Sequence, residues 1–484
     1  MSDIAFASAV ELAKRIRAKE IGCLELLELY LGRVHRLNAQ LNAIIVLDEE
    51  KAIARARAAD TALAKDEVWG PLHGVPMTIK ESFDVEGTPT TWGVPELKGN
   101  IASRDAVAVE RLRTAGVTLF GKTNVPFMLG DWQSFNAIYG TTNNPWDVTR
   151  VPGGSSGGSA AALAAGLTGI DAGSDIGASI RNPAHFCGVF GHKPTYGILP
   201  PRGQSLPGIV TPQDISVIGP LARSADDLEV AMDAMAGPDI LDAECWKLDL
   251  PASRKKRLQD FRVGVMLTDP NCAQDQELTD QLQGVVDALA KAGVQVDETA
   301  RPDIDTTEAH RVYLMLLRAA TGARMAEPLF QGHLRRAQGA DEADTSYKTM
   351  VDRAVTQYHR DWLEVEETQN QMRLRWHTFF QEYDLLLTPI AASAAFVHDQ
   401  AGDRADRTIP INGKEESVVD QLFWAGWPGA FYLPATVAPA GLTRSGLPCG
   451  LQIIAAHGHD RTAIHFARLM EQEIGGFVAP EGYS

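Results

Sequence analysis

The sequence predicts an α/β fold, and three observations lead to this class. Amphipathic helical patterns alternate with short apolar runs typical of buried strands, as where residues 107–115 precede residues 117–120. Further apolar runs at residues 383–390 (YDLLLTPI) and 446–454 (GLPCGLQII) predict buried strands. The 484 residues contain no internal repeat and no convincing linker, so we expect a single domain over residues 1–484.

The N-terminal part is predicted to be helical up to about residue 65. A capping pattern at Ser8 precedes a helix at residues 8–20, and further helices are expected at residues 23–37 and 49–65. A turn and a short apolar strand that ends at Lys80 follow. The later predicted elements are a helix after Arg223, an irregular connection at 237–257, a strand at 261–267, a helix over 278–289 closed by Gly293, a mostly helical stretch at 305–380 and a terminal helix at 461–473.

Charge and cysteine usage narrow the function classes. The balance of 62 Asp and Glu against 45 Lys and Arg gives a net charge of −17, which disfavours nucleic acid or an anionic membrane as the main partner. The 5 cysteines show no paired spacing, which fits a reduced compartment. No apolar run reaches the ~18 residues of a membrane span. We therefore expect a cytoplasmic protein with a small-molecule substrate.

Two glycine-rich loops carry serines about twenty residues apart, GGSSGGS at residues 153–159 and SDIGASIRNP at residues 174–183. Glycines beside a serine let backbone amides approach a ligand closely. The first loop lacks the lysine of a phosphate-binding GxxxxGK[ST] loop. It matches GxSxG formally, but residues 147–152 (DVTRVP) do not read as the strand that a nucleophile elbow needs. The pair of histidines at residues 457–459 is a weak metal signal.

A serine hydroxyl needs a base to become a nucleophile. His185 and His192 follow the second loop closely, and their position favours packing roles over a triad. A lysine can be the base when its pKa, ordinarily about 10.4, is depressed by roughly 2–3 units through burial. Lys80, Lys122 and Lys193 each end or follow an apolar run, and the residues alone leave the choice among these lysines open.

Taken together, the motifs give the chain a family resemblance. HGVPMTIKESFDVEG, FGKTNVPF, NNPWD, PGGSSGGSAAALAAG, GSDIGASIRNPAHFCGVFGHKPTYG and GLPCGLQII occur in this order. The pattern resembles the amidase signature family over most of the chain and is densest at residues 70–225. The resemblance implies an α/β/α sandwich, with a large mixed sheet of about ten or eleven strands between helical layers. It implies no cofactor and no metal, and a monomer or homodimer.

The resemblance also implies a role for each matched residue. Ser179 corresponds to the acylated nucleophile, Ser155 to a bridging serine that follows a cis peptide bond, and Lys80 to the general base. The backbone amides expected to face the oxyanion are those of Ile176, Gly177, Ala178 and Ser179. Each of the three side chains also has an ordinary interpretation.

Ser155 would cap a helix near Gly158, Ser179 would be a turn residue, and Lys80 would be a charge at a strand end. Two departures from the family pattern affect the expected pocket. Ala178 replaces the second glycine of the usual GGS loop, and Phe127 stands where the family often has an acidic residue.

The resemblance places the substrate entrance near the apolar residues Phe127, Met128, Leu129 and Trp132. Residues 199–208 are predicted to form a covering loop. The predicted substrate contacts also include Arg202 of that loop. The aromatic cluster of Phe423, Trp424 and Trp427 is interpreted as either pocket or core, and the pocket is favoured.

The expected function is hydrolysis of a neutral, aromatic or apolar amide, anilide or carbamate (urethane), with esterase activity as a further expectation. One alternative is the A subunit of a glutamyl-tRNA(Gln) amidotransferase, which shares the three side chains. The other is a non-catalytic binding protein that retains the fold.

Overall fold

The computed structural model describes residues 2–483 as a series of alternating helices and strands. The strands are β1 (Ile44–Leu47), β2 (Pro76–Lys80), β3 (Thr118–Thr123), β4 (Phe135–Asn136), β5 (Gly140–Thr141), β6 (Asp171–Asp175), β7 (Phe190–Lys193), β8 (Val217–Ala222), β9 (Arg262–Val265), β10 (Gln295–Asp297), β11 (Leu385–Thr388), β12 (Thr408–Ile411), β13 (Lys414–Ser417), β14 (Ala435–Leu442) and β15 (Pro448–Ala455). The helices are α1 (Ser2–Ala5), α2 (Ala9–Arg17), α3 (Cys23–Leu41), α4 (Glu49–Leu63), α5 (Val107–Thr114), α6 (Gly157–Ala164), α7 (Arg181–Cys187), α8 (Ala225–Met235), α9 (Gln276–Lys291), α10 (Thr306–Gly322), α11 (Glu327–Gly339), α12 (Tyr347–Thr356), α13 (His359–Glu382), α14 (Leu422–Ala430) and α15 (Asp460–Glu473).

The N-terminal helices show how local signals set element boundaries. Ser8 caps α2, because its side chain accepts a hydrogen bond from the Glu11 amide at 3.1 Å. Helix α3 runs beyond the predicted end near residue 37. Its apolar face continues to the fully buried Leu41, and Asn42 then ends the helix at a φ of 50°.

One extended sheet organises the molecule. Eight strands lie in the order β10-β9-β11-β15-β14-β7-β8-β6, with β9 parallel to both neighbours and the other pairs antiparallel. A three-stranded sheet, β1-β3-β2, adjoins it, because a parallel bridge pairs Met77 of β2 with Ile170 beside β6. The eight and three strands together give eleven, within the expected range.

Helices cover both faces of this sheet. Helices α6 and α7 pack together over β6, β8, β7 and β14, and α8 and α15 pack together over β7, β8, β14 and β15. The sheet therefore lies between two helical layers, which confirms the predicted sandwich. Residues 237–257 form neither helix nor strand, as predicted. Among the described residues, no helix combines the length and the apolar composition needed to cross a membrane. The single domain stays a prediction.

Candidate active site

Lys80 ends β2 and is fully buried against both glycine-rich loops. Its Nζ donates hydrogen bonds to Ser155 Oγ at 2.6 Å and to Ser174 Oγ at 2.9 Å. The sheet explains this meeting, because β2 lies beside β6 and Ser174 is the penultimate residue of β6. No carboxylate oxygen of residues 4–483 forms an ion pair with this lysine.

The surroundings of Lys80 favour a neutral amine. Burial lowers the pKa of Lys80 to about 7, although the negative charges of Asp175 and Asp171 act in the opposite direction. Burial also raises the pKa of Asp171 to about 7, while a hydrogen bond from Thr78 Oγ1 at 2.6 Å lowers it. An amine that is neutral near pH 7 can accept a proton from a serine hydroxyl.

Ser155 lies in the turn before α6, after a cis peptide bond from Gly154, as the resemblance implied. The residue at the N-cap of α6 is Ser156, and the Ser155 side chain contacts Lys80. The helix-cap interpretation of Ser155 is therefore wrong. The turn requires glycine at position 154, because a Cβ there would lie 2.2 Å from the backbone oxygen of Asp131.

Ser179 lies in the loop between β6 and α7, with 5% of its surface exposed. The Ser156 amide donates to the Ser179 carbonyl oxygen at 3.1 Å, which ties the two glycine-rich loops together. Within residues 4–483, Ser179 Oγ has no hydrogen-bond partner, and Ser155 Oγ contacts only Lys80. Catalytic hydrogen bonds often tighten only when substrate binds.

The backbone amides of the Ser179 loop divide into two groups. The Ala178 amide donates to Asp175 Oδ1 at 3.0 Å, so it is already occupied. The amides of Ile176, Gly177 and Ser179 have no acceptor in the described part of the chain. The four amides expected to face an oxyanion are thus reduced to three.

A buried ion pair anchors this loop. Arg181 Nε and Nη2 donate to the Asp175 carboxylate at 3.0 and 2.8 Å, and Arg181 Nη1 donates to Gln452 Oε1 of β15 at 2.9 Å. Burial raises the pKa of Asp175, but the Arg181 charge and hydrogen bonds outweigh it and hold the pKa below its ordinary value. The ionised carboxylate therefore fixes the loop to α7 and the central sheet.

Ala178 adopts a backbone conformation that favours glycine. Its φ is 66°, a left-handed region that costs an L-residue with a Cβ roughly 1–2 kcal/mol. Its side chain is fully buried. The alanine at this position therefore adds backbone strain and a buried methyl group to the loop.

The predicted entrance residues have different environments. Phe127 and Met128 are 55% and 41% exposed on a surface turn, and Leu129 beside them is half-buried. Trp132 is buried, and its Nε1 donates to the Gly177 carbonyl oxygen at 2.8 Å. Trp132 therefore reaches the Ser179 loop directly, while the other residues form an apolar surface further out.

The structure does not bring Arg202 to the serines. Its guanidinium forms two hydrogen bonds of 2.8 Å with Asp239, so the predicted substrate contact requires breaking an ion pair. Gln204 of the same loop reaches the site instead. Its Nε2 donates to Ser174 Oγ at 3.2 Å and to Ser82 Oγ at 3.1 Å. The loop thus reaches Ser174, a hydrogen-bond partner of Lys80, through a residue that sequence reasoning missed.

The aromatic residues of α14 pack in the hydrophobic core, and their place in the pocket stays a prediction. Phe423 and Trp427 are 3% and 4% exposed. Trp424 is fully buried, and its Nε1 donates to Gln274 Oε1 at 2.8 Å. Trp427 packs edge-on against Trp376, with ring centroids 5.5 Å apart.

The two nearby histidines have packing roles, as predicted. His185 bonds to the Ser393 carbonyl oxygen at 3.0 Å and accepts from the Gly450 amide at 2.8 Å. Burial lowers the pKa of His185 to about 4. His192 contacts Thr436 and Asp460. Both rings are thus held by groups other than the serines.

The weak metal signal at residues 457–459 has no counterpart in the fold. Asp460 accepts from His192 Nε2 at 3.1 Å and from Thr195 Oγ1 at 2.7 Å, so its carboxylate is used in packing. In the described part of the chain, no group of three or more His, Cys, Asp and Glu side chains is arranged to hold a metal ion.

Fold and site together define a class of protein: an α/β/α sandwich in which a buried lysine contacts a serine of one glycine-rich loop and lies beside a second. The Amidase family matches residues 25–464 of the chain. The chain therefore belongs to the amidase signature family, and it is an enzyme that acts on carbon–nitrogen bonds.

Individual relatives carry different names. The glutamyl-tRNA(Gln) amidotransferase A subunit of Moorella thermoacetica is 31% identical, over 97% of each chain. Indoleacetamide hydrolase of Bradyrhizobium diazoefficiens is 32% identical, over 97% of this chain and 86% of that protein. The structure of 6-aminohexanoate cyclic dimer hydrolase superposes with a TM-score of 0.79 at 26% identity, over 99% of both chains.

Proposed function

We propose that this chain hydrolyses the C–N bond of a neutral amide, anilide or carbamate with aromatic or apolar substituents, through an acyl-enzyme on Ser179. The observation that carries the proposal is the 2.6 Å contact between Lys80 Nζ and Ser155 Oγ. A buried amine with a lowered pKa and a serine hydroxyl as its partner is a suitable general base.

The proposed reaction has two halves. Neutral Lys80 takes the proton of Ser155, Ser155 takes the proton of Ser179, and Ser179 Oγ bonds to the carbonyl carbon. The negative charge formed on the substrate oxygen is stabilised by the free loop amides, each worth about 2.7–4 kcal/mol in comparable sites. The relay returns the proton to the departing amine as the C–N bond breaks. Water then attacks the acyl–Ser179 ester, with the same relay taking its proton. The bond between the acyl carbon and Ser179 Oγ breaks, the relay returns the proton to Ser179 Oγ, and the acid product leaves.

The substrate class follows from the surface near the Ser179 loop. Phe127 and Met128 expose apolar area, and Trp132 lies between this region and the Gly177 carbonyl. Apolar walls favour uncharged substrates. The name of the indoleacetamide hydrolase relative, an amidase of an aromatic amide, supports the same class. Esters and urethanes present the same carbonyl, and we expect both to be hydrolysed.

A second candidate is the A subunit of a glutamyl-tRNA(Gln) amidotransferase, the name carried by several relatives at 30–32% identity. Sequence identity does not distinguish an amidase from an amidotransferase subunit, but a measurement of activity does. If the purified chain, alone as a monomer or homodimer, hydrolyses an aryl anilide and leaves glutamine intact, the amidotransferase candidate is excluded. Turnover of glutamine without turnover of any anilide, ester or carbamate would overturn our proposal.

The test of the site compares the unaltered enzyme with Ser179→Ala on matched anilide, ester and carbamate analogues. We expect the unaltered enzyme to be labelled by a serine-directed fluorophosphonate. Ser179→Ala should lose this label and lower kcat/KM by about 10⁴-fold or more, with an unchanged melting temperature. Labelling or acyl-enzyme formation in Ser179→Ala would contradict the assignment. No labelling of the unaltered enzyme would favour a binding protein that retains the fold.

A further inference from the structure

The carbonyl groups of the Ser179 loop are held by two side chains from distant parts of the chain. Tyr313 of α10 donates its hydroxyl to the Ile176 carbonyl oxygen at 3.1 Å. Trp132 donates its Nε1 to the next carbonyl along the loop, that of Gly177, at 2.8 Å. Consecutive carbonyls are thus fixed by donors that approach the loop from outside.

The Tyr313 bond fixes one of the free amides. In a planar trans peptide unit, the carbonyl of one residue and the N–H of the next point in opposite directions. Because Tyr313 holds the Ile176 carbonyl, the Gly177 N–H points away from the tyrosine hydroxyl. Gly177 is one of the residues whose amide has no acceptor within residues 4–483. The corresponding Ser179 N–H is fixed in the same way, by the 2.6 Å bond from the Asn182 amide to the Ala178 carbonyl.

We propose that Tyr313 is a positioning residue for the oxyanion site: it orients the Gly177 amide without contacting the substrate. This inference rests on the proposed function, since it assumes that the loop amides bind a tetrahedral oxyanion. A preorganised donor needs no reorientation when charge develops, and this is the main advantage of such sites. A Gly177 peptide without Tyr313 would be free to rotate and would have to be ordered in each turnover.

The packing around Tyr313 leaves its ring little freedom. The side chain is fully buried. A Cβ on Gly426 of α14 would lie 2.7 Å from the ring, so the glycine makes room for the tyrosine at the α10–α14 contact. Burial raises the pKa of Tyr313, so the hydroxyl remains protonated and remains a donor over the working pH range.

Tyr30 of α3 offers a matched control. It is also fully buried, and its hydroxyl also donates to a backbone carbonyl oxygen, that of Ala5, at 3.1 Å. Arg223 donates to the same hydroxyl at 3.3 Å. This bond joins N-terminal segments and has no contact with either serine loop. Removal of the Tyr30 hydroxyl therefore measures the loss of a buried hydrogen bond alone. Removal of the Tyr313 hydroxyl measures that loss together with the loss of amide positioning.

The experiment compares Tyr313→Phe with Tyr30→Phe on an aryl anilide. For Tyr313→Phe we expect kcat to fall about fivefold to tenfold, the factor for one net hydrogen bond of about 1 kcal/mol, with KM within about twofold. The affinity for an aryl trifluoromethyl ketone, which forms a tetrahedral adduct on the serine, should fall by the same factor. The affinity for a non-reacting alcohol analogue should not change. Tyr30→Phe should lower the melting temperature with kcat and ketone affinity unchanged.

The outcomes separate the inference from the function on which it rests. If Tyr313→Phe keeps full kcat and ketone affinity, Tyr313 has only a structural role and the inference fails. A fall in the affinities for the ketone and the alcohol analogue alike would also overturn it, because the pocket as a whole would then have changed. If Ser179→Ala retains turnover in the same assay, the proposed function fails, whatever Tyr313→Phe does.

Discussion

Lys80 and Lys193 occupy two similar regions of the molecule, and only one of these regions resembles a catalytic site. Each lysine ends a strand and is buried. Burial lowers the pKa of each to about 7. Lys80 Nζ donates to two serine hydroxyls, at 2.6 and 2.9 Å. Lys193 Nζ donates to two backbone carbonyl oxygens, those of Pro194 at 3.0 Å and Leu433 at 2.8 Å.

The difference between the two regions lies in the partners. A carbonyl oxygen has no proton to give, so a neutral Lys193 has nothing to deprotonate and only supports the β7–β14 region. A serine hydroxyl has such a proton. Lys122, the third candidate, donates to Thr90 Oγ1 at 3.0 Å and to the Pro89 carbonyl, and burial lowers its pKa to about 8. Thr90 in turn donates its hydroxyl proton to the Phe83 carbonyl oxygen at 3.3 Å, and Thr90 lies outside both glycine-rich loops. A lowered lysine pKa therefore reflects burial, and what distinguishes Lys80 is contact with serine hydroxyls of the two glycine-rich loops.

The largest expected effect is the difference in activity between two single variants, Lys80→Met and Lys193→Met. Lys80→Met should lower kcat/KM by about 10⁴-fold or more, because the relay loses its only base. It should lower the free energy of unfolding less than Lys193→Met does, because Ser174 Oγ keeps a donor in Gln204 Nε2 at 3.2 Å and a serine hydroxyl can rotate to another partner, whereas a backbone carbonyl cannot. The measurements are steady-state kinetics on an anilide and urea denaturation.

Lys193→Met is the control for that experiment. It should keep kcat/KM within about tenfold and should destabilise the fold, because two buried carbonyls lose their donor at roughly 1–3 kcal/mol each. The comparison between the lysines breaks down if Lys193→Met loses as much activity as Lys80→Met while remaining folded.

The pH dependence should be the next largest effect. In the proposed mechanism Lys80 acts as a base only when it is neutral, so kcat/KM should rise about tenfold per pH unit below the lysine pKa and level off above it. With the pKa of Lys80 lowered to about 7, the plateau should be reached near pH 8. Lys193→Met should keep the same midpoint, measured with a substrate that does not titrate. A flat profile between about pH 5 and 9 would rule out a lysine base.

Stability should depend on pH with a sign that follows from the same shift. Between the folded pKa of about 7 and the unfolded value of about 10.4, the unfolded state binds a proton at Lys80 that the folded state does not. Stability therefore rises with pH in this window, by about 1.4 kcal/mol per unit. Lys80→Met should lose this contribution.

The ordered motifs of the sequence predicted the fold and the contact between Lys80 and Ser155. They did not predict features that depend on which distant segments become neighbours in the fold. Residues alone left three lysines open because each ends or follows an apolar run. The choice needed β2 to lie beside β6, which follows from sheet topology. Tyr313 is 137 residues away from the carbonyl it holds and lies on an ordinary amphipathic helix, so no local pattern indicates its role.

The covering loop shows the same limit at the scale of single side chains. The predicted covering loop at residues 199–208 contacts the site through Gln204, which donates to Ser174 Oγ, while Arg202 pairs with Asp239. Both are polar residues of one short segment, and composition does not tell which side chain points inward. Asp239 lies in the irregular connection at residues 237–257. The partner of a side chain in such a segment depends on the final fold.

The smallest expected effect concerns Ala178, which lies in the Ser179 loop and is not among the hydrogen-bond partners of Lys80 or Lys193. Ala178→Gly relieves the strain of a φ of 66° but adds backbone freedom to the unfolded chain, and these terms offset to within about 1 kcal/mol. Loss of the methyl should raise kcat/KM for branched over linear acyl groups by about fourfold, the factor for one buried carbon at ~0.8 kcal/mol. The midpoint of the pH profile should not move, because the surroundings of Lys80 are unchanged.

Ala184→Gly, which removes a fully buried methyl in α7, should lower stability and leave acyl selectivity unaltered. A shifted midpoint in Ala178→Gly would mean that the loop, and not only the serine partners, sets the pKa of the base.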